Sequence, residues 1–413
     1  MKCLQKNGKQ RKGKSAQTVI FSKYFRLIAH VVALSFPLLV NCTHKIQHPP
    51  QASDTFTQPF EIIQKLIQDV RTAFCPDDRI SIFSASEIFN SEEIVINGET
   101  TSQAAKHSLL KRIREEFPER HLVDRIAILP HASLGKDTCA VVRLSVADLR
   151  RQPAVDAELL NQALLGSQVR LLKKHHRNNW YLCQLDDQYI GWINPGALVI
   201  GDSELLELWI RKEKVLVLDQ FGVVVRDKGS SSVAVTDVVC GNLLAKLEED
   251  ADWVKVETPS GQVGFIQKEA VIDFDDWMKQ PAASAETIIE KAFQFYGFPY
   301  LWGGTSSKGM DCSGFTKTVF RMSRIFLPRD ANMQVDIGEA VSIDNQLTNL
   351  KPADLLFFGD NNKITHVGIY IGNLQFIHSD GYVRLNSFVP GTENYSEYRR
   401  NGLMRVKRII RHD

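Results

Sequence analysis

The residue best placed for chemistry is Cys312, which lies between a glycine-rich turn, WGGTSSKGMDCSG, and an apolar-periodic run from Phe315 to Ile325 that reads as a helix. A thiol at a helix start feels the positive end of the dipole and nearby unpaired N–H groups. Both favour the thiolate, the form that attacks carbonyl carbon. Alone, Cys312 reads equally well as a buried structural cysteine. Two histidines shift that balance. THVGIYIG and LQFIHSDG are strand-like runs joined at Gly372-Asn373. A hairpin centred on Gly372 sets His366 directly opposite His378, on one face, with Cβ atoms about 5 Å apart. One ring then takes the thiol proton while the other orients it, as in a Cys–His–polar triad. A one-residue slip would put the rings on opposite faces. Two alternatives stay open: His366 simply filling a strand position, or Cys312, His366 and His378 binding zinc.

These residues need a frame. The last domain, 285–413, follows a Pro281 to Ser284 linker and opens with a helix from Ala285 to Tyr296, ended by Gly297 with Pro299 just beyond. Strands are expected at Leu355 to Phe358, His366 to Ile371 and Gln375 to Ser379. Helices first and an antiparallel sheet afterwards predict an α+β fold. Upstream lies a repeat: 178–193 reads NNWYLCQLDDQYIGWI and 251–266 reads ADWVKVETPSGQVGFI. Trp180 precedes Gly191 by the same interval as Trp253 precedes Gly264, and each of these glycines is followed by an aromatic residue and Ile. Gly166 and Gly241 mark the upstream turns. Short strands bounded by turns predict one small β-barrel used twice, at 148–205 and 212–275; two unrelated hairpins are the alternative. Residues 57–147 form a small α/β leader. Its helices are expected at Phe60 to Phe74 and Ser102 to Phe117, with strands near Arg79 to Phe83, Val123 to Leu129 and Ala140 to Val146. It carries no chemical motif and reads as a scaffold or cap.

With 44% apolar and 24% charged residues, the chain is neither disordered nor a multi-span membrane protein. Its formal charge is +2, but eight cations and no acids fall in the first 41 residues, so the remainder carries −6. That gives no electrostatic reason to expect a nucleic-acid partner. The basic start runs into an apolar stretch, Leu27 to Val40, shorter than the roughly 20 residues of a membrane span. This is the pattern of a secretory signal, 1–41. The ending Leu39-Val40-Asn41-Cys42 resembles a bacterial lipoprotein cleavage box, with Cys42 lipidated; Asn41 departs from the usual small residue, and a plain signal peptide is the alternative. Residues 42–56 read as a tether, giving an exported protein held to a membrane. Beyond Cys3 and Cys42, five cysteines remain (Cys75, Cys139, Cys183, Cys240, Cys312), an odd number with no CxxC pair. No feature calls for an oligomer, so a monomer is the default.

The pieces GFPYLWGG, DCSGF, LPRDANMQ, LKPADLLFF and HVGIYIG…FIH occur in order in the last 125 or so residues. Together they resemble the NlpC-like cysteine peptidases of bacterial cell walls, and the repeat resembles bacterial SH3-like domains. The resemblance implies a papain-like core with Cys312 as nucleophile, His366 as base and His378 as the orienting member, backbone N–H groups at the helix start aiding the oxyanion, and no metal or organic cofactor. The whole arrangement is similar to the γ-D-glutamyl-L-diamino acid endopeptidases of dipeptidyl-peptidase VI type. These release L-Ala-γ-D-Glu from peptidoglycan stem peptides with a free N-terminal L-Ala. That implies substrate contacts at Tyr300, Asp311, Ser313 and Asp330, and, from the first SH3-like domain, Glu158 and Tyr189. Asp311 and Glu158 would meet the substrate's ammonium. Ala331 replaces the serine often found after the last aspartate. Competing readings are a hydrolase of intact peptidoglycan, an acyltransferase or amidase on the same core, and a non-catalytic wall-binding lipoprotein.

Overall fold

The computed structural model describes residues 54–410, apart from 91, 230, 231 and 282. The signal segment, Cys42 and residues 43–53 lie outside the described residues. Positions 54–56, expected in the tether, open helix α1 (Asp54–Phe74) instead. Among the described residues no helix is long and apolar enough to cross a membrane.

In the leader, α1 puts Ile63, Ile67 and Val70 at helical spacing onto one face, where they are buried. Strands β1 (Phe83–Phe89) and β2 (Glu93–Thr100) pair antiparallel. Helix α2 (Gln103–Glu116), capped by Ser102 on the Ala105 N–H, carries the chain over to β3 (His121–Ile128), parallel to β2. Leu109 and Ile113 of α2 meet Ile94, Ile96 and Ile126 of the sheet. The strand expected from Arg79 is a turn: Asp77 accepts the Arg79 backbone N–H on its side chain and the Ser81 N–H on its carbonyl. The β-branched run therefore starts pairing only at Phe83.

The first barrel comprises β4 (Cys139–Val142), β5 (Val146–Arg150), β6 (Leu159–Leu164), β7 (Gln168–Lys174), β8 (Tyr181–Gln184), β9 (Ile190–Ile193) and β10 (Leu198–Gly201). It thus begins at Cys139 and not at 148. The expected strand across 140–146 is two strands, because β4 pairs with β7 and β10 whereas β5 pairs with β6 and β9. After α3 (Ser203–Arg211) the second barrel follows with β11 (Lys214–Val217), β12 (Phe221–Val225), β13 (Ala234–Val239), β14 (Leu243–Glu249), β15 (Trp253–Glu257), β16 (Val263–Gln267) and β17 (Val271–Asp273).

The strand orders β10-β4-β7-β8-β9-β5-β6 and β17-β11-β14-β15-β16-β12-β13 are the same order written twice. The repeated glycines have one physical reason. A Cβ on Gly191 would lie 2.7 Å from Leu149 Cγ, and one on Gly264 would lie 2.6 Å from the Val225 carbonyl oxygen. In each barrel the fifth and sixth strands' hairpin passes the second strand there too closely for a side chain. Gly166 and Gly241 both turn with positive φ, at 82° and 89°.

The last domain begins after α4 (Phe274–Lys279) with α5 (Ala285–Phe293), then a small ribbon of β18 (Thr305–Ser306) and β19 (Gly309–Met310). Helices α6 (Cys312–Met322) and α7 (Ala331–Gln334) follow. The sheet comprises β20 (Glu339–Ala340), β21 (Leu355–Asp360), β22 (Lys363–Gly372), β23 (Gln375–Asp380), β24 (Tyr382–Ser387) and, after α8 (Glu397–Asn401), β25 (Leu403–Arg408). All its pairs are antiparallel, in the order β20-β25-β21-β22-β23-β24. Phe315, Val319 and Phe320 of α6 are buried against Phe357, Val367, Ile369 and Ile377 of the sheet, which sets Cys312 over β22.

Gly314, in the second position after the cysteine, is dictated by that seating: a Cβ there would fall 2.0 Å from the Gly304 carbonyl oxygen. Gly314→Ala is expected to lower stability by roughly 2–3 kcal/mol. A denaturant midpoint unchanged from wild type would show that the helix start can shift to make room.

Candidate active site

Both histidines share the sheet face turned away from the α6 core: His366 packs on Phe358 and His378 on Phe376, whereas Val367, Ile369 and Ile377 face α6. The hairpin between them turns at Asn373-Leu374, both with positive φ, and a bulge at Ile371 lies between the Gly372–Gln375 and Tyr370–Phe376 pairs. Its register places Ile369 against Ile377, so His378 stands across from Gly368 and His366 is its diagonal neighbour. The directly opposed pair expected from a centre at Gly372 is therefore corrected. The displacement is two positions, which preserves the face. Diagonal Cβ atoms are farther apart than opposed ones, and the rings span the difference, with centroids 4.9 Å apart at 89°.

Hydrogen bonds fix the tautomers. Asn386 Nδ2 donates to the Asn394 carbonyl at 2.8 Å, so its Oδ1 must be the acceptor facing His378 Nε2 at 2.7 Å. His378 Nε2 therefore carries a proton, and its Nδ1 is the lone pair that meets His366 Nε2 at 2.6 Å. His366 in turn is protonated on Nε2, which leaves Nδ1 as the basic nitrogen. Asn386 belongs to no motif in the sequence, yet it decides which nitrogen of His366 can accept a proton. The two ring nitrogens a zinc ion would draw together are hydrogen-bonded to each other, so this geometry does not favour the zinc alternative.

Burial lowers the His366 pKa well below 6.5, with His378 and Arg399 adding to the shift; burial likewise takes His378 down to about 4. Burial also pushes the Cys312 thiol up to about 12, helped by the Asp311 carboxylate; the Val367 and Ser313 backbone N–H groups at the sulfur pull the other way. The helix start was expected to favour the thiolate. Instead, desolvation outweighs it, and in the free protein both thiol and imidazole are neutral.

Beside Cys312 opens a cavity of about 370 Å³ that touches Tyr300, Asp311, Ser313, Asp330, Glu158 and Tyr189, all six residues expected there. Their availability differs. Asp311 caps α6 through the Gly314 N–H, accepts the Gly303 N–H, and forms a two-pronged pair with Arg329 at 3.1 and 2.6 Å. Arg329 is 1% exposed, so this is a buried pair whose separation would strand a charge. Asp311 holds Arg329 and the helix start, and is not the free carboxylate expected for an ammonium. Ser313 Oγ is likewise engaged by Asp311 and Arg329.

Asp330 and Glu158 form the outer acidic wall. Asp330 Oδ2 accepts from Tyr189 Oη at 3.1 Å and from Arg79 Nη1 at 2.7 Å. Glu158, at the mouth, accepts from Arg151 Nε at 2.5 Å and from Trp302 Nε1 at 3.0 Å. Three carboxylates (Asp311, Asp330, Glu158) thus alternate with three guanidinium groups (Arg79, Arg151, Arg329). Trp302 and Arg329 stood inside quoted motifs without an assigned role; Arg79 and Arg151 carried no sequence signal. The leader, read as a scaffold, reaches the cavity through Arg79.

The first barrel is locked onto this domain by polar contacts. Gln162 accepts the Thr305 N–H at 3.0 Å and the Ser306 hydroxyl at 2.9 Å. Lys317 pairs with Asp187, which also accepts from Asn161. Burial opposes ionisation of Asp187, but Lys317 holds its carboxyl below the usual range. Gly303 completes the fit, since a Cβ there would lie 2.2 Å from the Leu159 carbonyl oxygen. These contacts bring Glu158 and Tyr189 to a cavity built on another domain.

A cysteine at a helix start against an antiparallel sheet, with a hydrogen-bonded His366–His378–Asn386 relay on strands of that sheet, defines a papain-like thiol peptidase. Residues 297–405 match the NlpC/P60 family, and residues 149–198 match the bacterial dipeptidyl-peptidase Sh3 domain. The chain belongs to the NlpC/P60 family. It is 33% identical over 243 residues to the gamma-D-glutamyl-L-lysine dipeptidyl-peptidase of Bacillus subtilis (strain 168), covering 56% of this chain and 76% of that protein. To dipeptidyl-peptidase 6 of Lysinibacillus sphaericus it is 24% identical over 246 residues, 58% of this chain and 87% of that one. A crystal structure of an NlpC/P60 family protein from Bacillus cereus ATCC 10987 shares the fold, with a TM-score of 0.56 and 24% identity over 66% of this chain and 99% of that one.

Proposed function

We propose that the protein hydrolyses the bond between γ-D-Glu and the diamino acid of peptidoglycan stem peptides that begin with a free L-Ala, releasing L-Ala-γ-D-Glu. The observation that carries this reading is the partly open cavity beside Cys312, lined by paired carboxylates and guanidinium groups and walled by Glu158 and Tyr189 of the first barrel. Its size suits two residues, and Asp330 and Glu158 suit an ammonium. The Bacillus subtilis relative, a gamma-D-glutamyl-L-lysine dipeptidyl-peptidase by name, supports the same bond.

In this reading the Cys312 thiol gives its proton to His366 Nδ1, and the sulfur attacks the γ-carbonyl carbon. Negative charge on the carbonyl oxygen meets the Cys312 N–H group, which a helix start leaves without an intrahelical acceptor. As the C–N bond breaks, the departing amine takes the proton from His366, and a thioester remains. Water then loses a proton to His366 and attacks the thioester, which releases the dipeptide and restores the thiol.

Incubation with L-Ala-γ-D-Glu-diaminopimelate tripeptide is expected to release the dipeptide, followed by mass spectrometry. An N-acetylated tripeptide should be cut far more slowly. Equal rates on both would end the ammonium argument, and release of fragments from cross-linked sacculi in preference to free tripeptide would favour a hydrolase of intact wall.

A further inference from the structure

We infer that Arg79, supplied by the leader domain, is a positioning residue of the amine-binding wall, holding one oxygen of Asp330 so that the other faces the substrate's ammonium. This deepens the proposed reaction and rests on it. Asp330 stands at the N-cap position of α7, where an aspartate ordinarily turns onto the helix's own N–H groups. Here it makes no such bond. Its Oδ2 is instead drawn outward by Arg79 Nη1 and Tyr189 Oη, at 2.7 and 3.1 Å. Its Oδ1 has no hydrogen-bond donor among the described residues; Arg329 Nη1 is 3.8 Å away, beyond hydrogen-bond reach. One oxygen is saturated and the other is left to accept.

The guanidinium is fixed before it meets Asp330. Asp77 takes Nε at 2.9 Å and Nη2 at 2.6 Å, and it also holds the Arg79 backbone N–H at 3.0 Å. The Arg79 carbonyl accepts the Ile190 N–H at 2.7 Å, one residue from Tyr189, which ties the turn to the first barrel. Nη1 divides its two hydrogens between Asp330 and Asn332, both at 2.7 Å. Only a planar fork can serve these partners at once; a lysine could reach Asp330 but could not keep the rest.

The test is steady-state kinetics of the full protein on the free-amine tripeptide and its N-acetylated counterpart. Arg79→Ala is expected to raise KM for the free-amine substrate roughly ten- to hundredfold, with kcat changed by less than about threefold. The preference over the acetylated substrate should shrink by the same factor. Arg79→Lys should recover part of the loss, and in an Asp330→Asn background Arg79→Ala should change nothing further. If Arg79→Ala does not fold, Asp77→Asn, which loosens the guanidinium from outside the cavity, should shift KM in the same direction. An unchanged KM, or an equal loss on both substrates carried by kcat, would overturn the inference and leave Arg79 as a mere domain contact. Failure of the wild type to cut the tripeptide is a separate result, seen before any variant is made, and it would remove the proposed reaction and this inference together.

Discussion

Cys312→Ala is expected to abolish cleavage, with kcat down by at least about four orders of magnitude, while the fold survives. The sulfur's partners are two backbone N–H groups, from Val367 and Ser313, so its removal leaves a small cavity and no stranded charge. The stability change should stay within about 1–2 kcal/mol. Cys312→Ser should be nearly as inactive, because a hydroxyl surrenders its proton far less readily to a neutral imidazole. The raised thiol pKa adds a second observable. Iodoacetamide should modify Cys312 slowly at neutral pH and faster as pH climbs, since the resting sulfur is protonated. A reaction rate already level across pH 5 to 8 would mean a preformed thiolate and would contradict the neutral pair. Residual cleavage above about one per cent in Cys312→Ala would place the nucleophile elsewhere.

The other large effect is expected at the relay. His378→Phe fills the same space without a nitrogen, so His366 Nε2 loses its acceptor and nothing then keeps the proton off Nδ1. A loss of about 10²–10⁴ in kcat is expected, by the logic that a wrongly protonated base cannot accept. KM should barely move, because His378 is buried behind His366 and away from the cavity wall. The pH profile of kcat/KM follows from the same groups. His366 must be neutral to act, and burial lowers its pKa below 6.5, so activity should hold as pH falls through 7 and drop only below 6.5. On the alkaline side, activity should fall near pH ~8 as the substrate's own α-amine loses its proton. An acid limb above pH 7 would show that His366 is not the group titrating, and a wild-type rate in His378→Phe would remove the relay.

What the sequence made legible follows the length of the signal. Cys312, His366 and His378 sit in runs whose periodicity can be seen, and a register error of two positions left their shared face intact. The duplicated barrel could be read because Gly191 and Gly264 answer to one steric demand within a hairpin, which spacing records. The first barrel's true beginning at Cys139 could not, because β4 pairs with strands as distant as β10, and no local pattern encodes that partnership. The fate of Asp311 was hidden for a related reason. A carboxylate beside a cysteine reads as available until a buried arginine 18 positions later is found holding it. Arg79 lay furthest from view: it meets Asp330 across 251 positions, and a single arginine in a turn has no period.

The twinned barrels have a consequence for how this chain can change. Counted from the shared glycines, Gln262 occupies in the second copy the place of Tyr189 in the first, and Val233, 62% exposed, precedes β13 as Glu158 precedes β6. Neither touches the cavity beside Cys312. Duplication has therefore divided two obligations that a single barrel would have to meet together. One copy lines the cavity, while the other braces the last domain from outside it, through Asp237 on Lys308 and the Gly241 carbonyl on Arg321. Its exposed positions away from those contacts, Val233 among them, are where new residues can be tried, and a tag or a second recognition surface carried, with the chemistry left alone.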